Sequence, residues 1–256
     1  METETIRGSH PLMRAILEVA ERIATTDVCV VILGEKGTGK EVLARYIHAL
    51  SPRSARPFLR IDCQEALAAG GAAILSGALA QGVIGNGMAH ALLERARGGT
   101  LYLDRISALT AELQRPLRSA LLADAGATAD VRLLAGRDGA EPPPRWLEEV
   151  GLVPVELPVP ALRQRRSDIP VLVEHFLDLY ARRHGVWPRR IETEAMVQLW
   201  QYDWPGNVRE LETVVERVVV LSRSGVIRAA DLPRHICGVA AGDPAGNGCS
   251  AGSTRR

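Results

Sequence analysis

The sequence predicts an α/β fold in which a parallel sheet is flanked by helices and is followed by a small all-helical domain. Three observations support this prediction. Segments of strand and helix character alternate along the first part of the chain, which is typical of a parallel sheet. The apolar, β-branched segment Val28–Gly34 leads through a glycine-rich loop directly into a helical segment. From about Ser167 onward, the segments have apolar residues at helical spacing.

The first part of the chain contains each element of such a sheet in order. Helical periodicity predicts helices at His10–Asp27, Lys40–Leu50, Met88–Ala96 and Ala111–Ala123. Pro116 should kink the last of these helices or mark its start. Apolar runs predict strands at Val28–Gly34, Pro57–Cys63, Thr100–Asp104, Ala129–Gly136 and Leu152–Val159. The Ala- and Gly-rich stretch Glu65–Gly87 predicts only a weak helix followed by a flexible loop.

The second part of the chain predicts helices alone. They cover Ser167–Gly185, Ile191–Trp204, Gly206–Arg223 and Arg228–Pro233. Residues 239–256 are rich in Gly, Ala and Ser, which predicts a disordered tail.

Composition limits the classes of function. The chain has 256 residues, of which 46% are apolar, enough for one sizeable core and a small satellite domain. Its net charge of +1 gives no overall electrostatic attraction to nucleic acid. The four cysteines form no C-x-x-C pair, so no zinc site is predicted. Because no run of about 18 apolar residues occurs, we expect a cytoplasmic protein without a membrane segment.

The loop GEKGTGKE, Gly34–Glu41, matches the phosphate-binding pattern G-x-x-x-x-G-K. Its glycines let successive backbone N–H groups face phosphate oxygens, and the helix that follows adds a partial positive charge. The residues predicted to bind a nucleotide here are Gly34, Glu35, Lys36, Gly37, Thr38, Gly39, Lys40 and Glu41. The strict motif has Ser or Thr where Glu41 stands. The alternative is a strand-to-helix turn that binds no ligand.

Several motifs together resemble the bacterial enhancer-binding proteins, the AAA+ activators of sigma-54 RNA polymerase. GEKGTGKE resembles that family's GESGTGKE, in which Glu also follows the lysine. GGTLYLDRI, residues 98–106, resembles GGTLFLDEI, and DVRLLAGRD, residues 130–138, resembles DVRIIAATN. VPALRQRRSDIP, residues 159–170, is similar to the family's linker, and WPGNVREL, residues 204–211, is among its most specific signatures.

The resemblance implies a P-loop AAA+ α/β domain over residues 1–163 and a helical lid domain over residues 164–238. It implies ATP and Mg²⁺ as cofactors, and assembly into a ring with ATP between subunits. Asp104 would bind the Mg²⁺ that accompanies the nucleotide, and Arg209 would sense the γ-phosphate. Arg145 matches one arginine of the family's arginine-finger segment, so Asp104 and Arg145 are the candidate catalytic residues.

The most consequential departure from the family is Arg105, which stands where the family has the Glu that polarises the attacking water. A guanidinium stays charged and cannot accept a proton. Since such a base is typically worth about 10²–10⁴-fold in rate, the simple expectation is loss of hydrolysis. Glu41 is the nearest carboxylate that would substitute.

Other departures affect the same function. Asp138 replaces the family's water-orienting Asn, and an ionised carboxylate cannot donate a hydrogen bond. Gly151 replaces the second arginine of the finger segment. The segment GVIGNG, residues 82–87, lacks the Phe and Thr of the GAFTGA sequence that contacts sigma-54, and Ala125–Asp130 is too short for the family's hairpin.

We therefore interpret the chain as an ATP-binding AAA+ transcriptional regulator with degenerate hydrolysis and sigma-contact motifs. It would act through protein–protein contacts, with itself, with a related AAA+ activator, or with an RNA polymerase sigma factor. The alternatives are an active ATPase that remodels the sigma-54 holoenzyme and a truncated or drifting gene. A small-molecule kinase shares the phosphate loop but not WPGNVREL. We expect no DNA-binding domain in this chain, since few residues follow Pro233.

Overall fold

The computed structural model describes residue 6 and residues 8–68, 92–109, 111–123, 130–139, 144–186, 190–222 and 225–237. These residues divide into two compact units. The first runs to Leu172 and also takes in Asp203–Leu211. The second comprises Val173–Tyr202 and resumes at Glu212. The tail predicted over 239–256 and the segment GVIGNG lie outside the described residues, and the domain boundary after residue 163 stays a prediction.

The first unit contains a five-stranded parallel sheet, which confirms the predicted α/β fold. Its strands are β1 (Val30–Leu33), β2 (Phe58–Asp62), β3 (Thr100–Asp104), β4 (Arg132–Arg137) and β5 (Val155–Pro158). Their order across the sheet is β2-β3-β4-β1-β5, and every neighbouring pair is parallel. The carboxyl ends of β1, β3 and β4 therefore meet at one edge.

Helices cover the sheet between its strands. They are α1 (Pro11–Ala24), α2 (Lys40–Ala49), α3 (Cys63–Ala68), α4 (Ala111–Ala123) and α5 (Trp146–Glu149), with a further helical segment at residues 92–96. Short 3₁₀ turns lie at Ile106–Ala108, Leu162–Gln164 and Arg166–Asp168. Since α4 begins before Pro116, this proline does not mark its start. None of the described helices is both long and apolar enough to cross a bilayer.

Strand β1 is buried on both faces, as its continuous apolar sequence predicts. Val30 and Ile32 belong to one apolar cluster, which also contains residues of α1 and α2. Val31 belongs to a second cluster with residues of β3, β4 and α5. The strand that carries the glycine-rich loop is thus fixed from both sides.

The second unit is mainly helical. Helices α6 (Ile169–Arg183) and α8 (Asn207–Leu221) extend into it, and α7 (Thr193–Gln201) lies wholly within it. It also contains two strands that the sequence did not predict, β6 (Arg190–Ile191) and β7 (Val226–Ile227), which pair in parallel. Two-residue strands are too short to give a periodic signal. The helix predicted at Arg228–Pro233 is only a 3₁₀ turn over Ala229–Asp231.

Candidate functional site

The candidate site lies at the sheet edge where parallel strands end. Gly34 follows β1, Asp104 is the last residue of β3, and Asp138 follows β4. Because β4 lies between β1 and β3, these positions come together at one edge, where α/β sheets usually bind ligands.

The glycine-rich loop curls beneath the side chain of Lys40, the first residue of α2. Gly37 and Gly39 have φ angles of 79° and 100°, in the left-handed region that glycine tolerates. The Lys40 side chain is only 7% exposed, and its Nζ donates hydrogen bonds to the carbonyl oxygens of Gly34 (2.9 Å) and Glu35 (3.0 Å). The loop is therefore preformed around its cation, at the positive end of α2.

The third partner of Lys40 is a carboxylate. Asp138 Oδ1 lies 2.6 Å from Lys40 Nζ, and the Asp138 side chain is 42% exposed. The sequence identified Asp138 only as a replacement for an asparagine. The structure adds that this replacement forms an ion pair with the lysine of the phosphate loop.

Residues 203–211, the WPGNVREL region, hold the loop from another side within the same compact unit. The Asn207 Nδ2 donates to the Lys36 carbonyl (3.0 Å) and to Glu35 Oε2 (3.2 Å). The backbone N–H of Arg209 donates to the Gly37 carbonyl (3.3 Å). The backbone of Arg209 therefore lies beside the loop, and the assignment of its side chain to the γ-phosphate stays a prediction.

Gly37 is required by close approach as well as by its φ angle. A Cβ atom at this position would overlap the carbonyl oxygen of Gly206 and lie 3.2 Å from Cβ of Arg209. The signature WPGNVREL and the glycine of the phosphate loop are thus complementary in shape.

The linker before α6 adds two arginines that sequence analysis did not identify as part of the site. Arg163 forms a two-point ion pair with Glu35, at 2.8 and 2.5 Å. Hydrogen bonds from Arg163 and Asn207 lower the pKa of Glu35 to about 2, so this carboxyl group is ionised at neutral pH. Arg165 is buried and donates to the Thr38 carbonyl (2.8 Å). Arg163 therefore holds the Glu35 side chain, and Arg165 holds the backbone of the loop.

On the other side of the edge, Arg60 of β2 bridges two carboxylates. Its Nη2 donates to Asp104 Oδ2 (2.8 Å), and its Nε lies 2.9 Å from Glu41 Oε2. The other Glu41 oxygen, Oε1, accepts from Arg45 (2.8 Å). Each Glu41 oxygen thus already forms an ion pair with an arginine.

Arg105 faces β2 and α3. Its φ angle of 55° is unusual for a non-glycine residue, and its guanidinium is ion-paired with Asp62 and hydrogen-bonded to Gln64 Oε1. The hydrogen bond that Arg105 donates to Asp62 raises the pKa of Arg105. Burial opposes ionisation of Asp62, but Arg105 and the backbone N–H groups of Gln64 and Glu65 outweigh it and lower the pKa of Asp62.

Tyr102 and Gly136 fit each other on neighbouring strands. The Tyr102 hydroxyl lies 3.3 Å from Asp104 Oδ1, and burial raises its pKa, so that it remains a donor. A Cβ atom on residue 136 would overlap that hydroxyl. The motifs that this chain resembles have Phe and Ala at these two positions. The larger ring substituent is therefore matched by a smaller neighbour.

This arrangement fits a nucleotide better than it fits a free metal ion. The loop, Lys40 and the start of α2 form a cradle for phosphates. Among the described residues, no group of three or more His, Cys, Asp or Glu side chains could hold a metal by itself. The oxygens of Asp104 suit Mg²⁺, which is usually held by one or two carboxylates together with substrate phosphates.

Three further features that the sequence singled out are Arg145, Gly151 and the shortened hairpin. Arg145 precedes α5 and is exposed, and among the described residues no hydrogen bond joins its side chain to the phosphate loop. Gly151, which replaces the second arginine of the family's segment, has a φ angle of 79°, and no atom of the described residues lies within 4 Å of its Cβ position. Residues 125–129 of the shortened hairpin fall outside the described part of the chain.

Comparison with known proteins agrees with this geometry. The family model for the sigma-54 interaction domain matches residues 6–126, and that for the AAA+ ATPase lid domain matches residues 163–247. The transcriptional regulatory protein GlrR of Escherichia coli K12 is 38% identical over 245 residues, which cover 89% of this chain and 54% of GlrR.

Solved structures of NtrX from Brucella abortus are similar along most of the chain. The complex with ATP is 29% identical with a TM-score of 0.73, covering 94% of this chain and 57% of NtrX. The complex with ADP is 30% identical with a TM-score of 0.72, covering 91% and 56%. The chain thus spans about half the length of the relatives that it matches.

Proposed function

Since this chain belongs to the AAA+ family that carries the sigma-54 interaction domain, we propose that it is an ATP-binding transcriptional regulator in which hydrolysis is weak or absent. One observation carries the proposal. The phosphate loop keeps its glycines and is preformed around Lys40, whereas an arginine that is ion-paired with Asp62 occupies the position of the catalytic carboxylate.

Nucleotide binding is supported by the geometry of the loop and by the NtrX complexes with ATP and ADP. Backbone N–H groups, Lys40 and the start of α2 would hold the phosphates. Arg209, beside Gly37, would face the terminal phosphate. Asp104 would hold Mg²⁺ that arrives with the nucleotide, and the metal would supply positive charge to the phosphates.

Weak hydrolysis follows from the surroundings of the expected base. Arg105 is ion-paired with Asp62 and remains charged, so it cannot take a proton from water. Glu41 does not replace it readily, because each of its oxygens is ion-paired with an arginine. Asp138 is paired with Lys40 and, when ionised, offers no donor to orient water.

A missing trans-acting arginine would lower the rate further. Arginine fingers contribute about 10³–10⁵-fold in phosphoryl transfer. Gly151 takes the place of one of the two arginines in the segment that resembles the family's finger, which leaves Arg145. A neighbouring copy of this chain would therefore contribute little to ATP cleavage.

The output of such a regulator would be protein–protein contact. We propose self-association, or assembly with a related AAA+ activator, with an RNA polymerase sigma factor as a further partner. ATP would favour one assembly state through its differential affinity for that state.

Measuring ATP affinity and phosphate release on one preparation tests this proposal. We expect saturable binding by calorimetry and turnover below about 0.1 s⁻¹, since a typical enzyme turns over at about 10 s⁻¹ and loss of the base costs at least about 100-fold. Lys40→Ala should abolish binding, whereas Arg14→Ala, a charge change on the exposed face of α1, should not. Turnover of about 1 s⁻¹ or more would favour the alternative, an active ATPase that remodels sigma-54 polymerase.

A further inference from the structure

We propose that Asp138 makes the phosphate loop selective for a nucleoside diphosphate over the corresponding triphosphate. This inference rests on the proposed function, namely that the loop binds an adenine nucleotide. It assigns to Asp138 a role in ligand specificity, in addition to the loss of a water-orienting amide.

The hydrogen-bonding capacity of Lys40 is already used in this structure. A lysine ammonium has three N–H donors and no acceptor. In this structure Nζ has three acceptors, the carbonyl oxygens of Gly34 (2.9 Å) and Glu35 (3.0 Å) and Oδ1 of Asp138 (2.6 Å). A phosphate oxygen can therefore bind to Lys40 only by sharing or displacing one of these three partners.

Of the three partners of Lys40, Asp138 is the one that a phosphate can displace most easily. The two carbonyl oxygens belong to the loop backbone, which Arg165 and Asn207 hold in place through the Thr38 and Lys36 carbonyls. The Asp138 side chain is 42% exposed, and its carboxylate is therefore the partner that solvent can reach. The carboxylate of Asp138 is thus the group that a phosphate would have to displace from Lys40.

A diphosphate and a triphosphate differ in the phosphates that they bring to Lys40. In a phosphate loop the backbone N–H groups cradle the α- and β-phosphates, and the lysine reaches the β- and γ-phosphates. A diphosphate brings only its β-phosphate to Lys40, so one phosphate oxygen can share the ammonium group with Asp138. A triphosphate brings its γ-phosphate to the same ammonium group, beside an ionised carboxylate of like charge. Two negative groups that contact the same ammonium group lie close together, and they repel strongly where solvent is partly excluded.

Other cations at this edge already have carboxylate partners. Arg60 binds Asp104 and Glu41, Arg105 binds Asp62, and Arg163 binds Glu35. They therefore offset the added charge of a γ-phosphate less than unpaired cations would. Arg209, beside Gly37, acts in the opposite direction because the family resemblance assigns it to the γ-phosphate.

The test is a competition experiment with the purified chain. A fluorescent ADP analogue is displaced by ADP or by a non-hydrolysable ATP analogue, at fixed Mg²⁺ concentration. For the wild-type chain we expect ADP to bind at least about tenfold more tightly than the triphosphate, a difference of about 1.4 kcal/mol. For Asp138→Asn we expect the two affinities to agree within about threefold, chiefly because the triphosphate binds more tightly.

Controls separate this inference from the proposed function. Asp178→Asn removes one negative charge from an exposed position on α6 and should leave the ratio of affinities unchanged. Thermal unfolding of Asp138→Asn should match the wild type. Equal wild-type affinities, or a ratio that Asp138→Asn does not change, would overturn the selectivity but leave nucleotide binding intact. Failure of both nucleotides to displace the analogue, or of the analogue to bind, would overturn both.

Discussion

The Nη2 atom of Arg60 donates a hydrogen bond to Oδ2 of Asp104 over 2.8 Å, so a guanidinium faces the carboxylate assigned to magnesium. The same side chain also contacts Glu41. Charge-assisted hydrogen bonds of this kind are stronger than neutral ones. A magnesium ion that enters with a nucleotide must therefore compete with Arg60 for Asp104.

Arg60→Gln should let Mg²⁺ stabilise the bound nucleotide at a lower Mg²⁺ concentration. Removing the guanidinium releases Oδ2 of Asp104 and Oε2 of Glu41 for a divalent cation, although Arg45 still binds Glu41 Oε1. A hydrogen bond to a charged group contributes about 1.5–3 kcal/mol. We expect the Mg²⁺ concentration for half-maximal stabilisation of bound nucleotide to fall at least about tenfold, as measured by calorimetric titration. Arg53→Gln is the control, because Arg53 pairs with Asp27 and Asp130. Equal Mg²⁺ dependence in Arg60→Gln and the wild type would contradict this prediction.

Arg105→Glu should restore part of the hydrolysis. It supplies a carboxylate at the position where a base is missing, and such a base contributes about 10²–10⁴-fold. Arg105→Gln is the matched control, since it removes the same ion pair with Asp62 but cannot accept a proton. We expect phosphate release by Arg105→Glu to exceed that of Arg105→Gln at least about tenfold, with Gly151 and Asp138 preventing full recovery. Equal rates in the two variants would exclude a missing base as the limiting defect.

Gly37→Ala should distort the phosphate loop. Its Cβ would overlap the Gly206 carbonyl, and overpacking of this kind costs about 1–3 kcal/mol beyond the strain of the positive φ angle. Gly151→Ala isolates that strain, because Gly151 has the same φ angle of 79° and open space around it. We expect Gly37→Ala to lower the thermal midpoint more than Gly151→Ala and to weaken nucleotide binding. If Gly37→Ala and Gly151→Ala had similar thermal midpoints and Gly37→Ala bound nucleotide as tightly as the wild type, close contact with Gly206 would not be what requires glycine at position 37.

The sequence predicted the elements of this site better than its contacts. Continuous apolar character located β1, and the glycine pattern located the loop and Lys40, because both signals are local. Strand order was needed to bring Asp138 to Lys40 and Arg60 to Asp104, since these pairs come from different strands. The ends of parallel strands share an edge, which could have suggested the first pair. No local signal connects Glu35 with Arg163 or predicts the short strands β6 and β7.

Tyr102 and Gly136 provide a test of whether the departures of this chain are mutually adjusted. Gly136→Ala should destabilise the chain by about 1–3 kcal/mol, because its Cβ would overlap the Tyr102 hydroxyl. Tyr102→Phe removes that hydroxyl, so the double variant should recover most of the loss. Urea unfolding of the four chains gives the coupling free energy, expected at about 1 kcal/mol or more. If the changes in the free energy of unfolding were additive, the two positions would be independent. Independent positions are what the alternative of a drifting gene predicts.

The most direct test of the account is single-turnover hydrolysis of ATP bound to excess protein with Mg²⁺, because it measures cleavage apart from binding and product release. If the cradle is intact but the expected base is missing, bound ATP should persist with a rate constant below about 0.1 s⁻¹, about 100-fold or more under a typical enzyme. Conversion to ADP at about 1 s⁻¹ or faster by the unmodified chain would contradict the account.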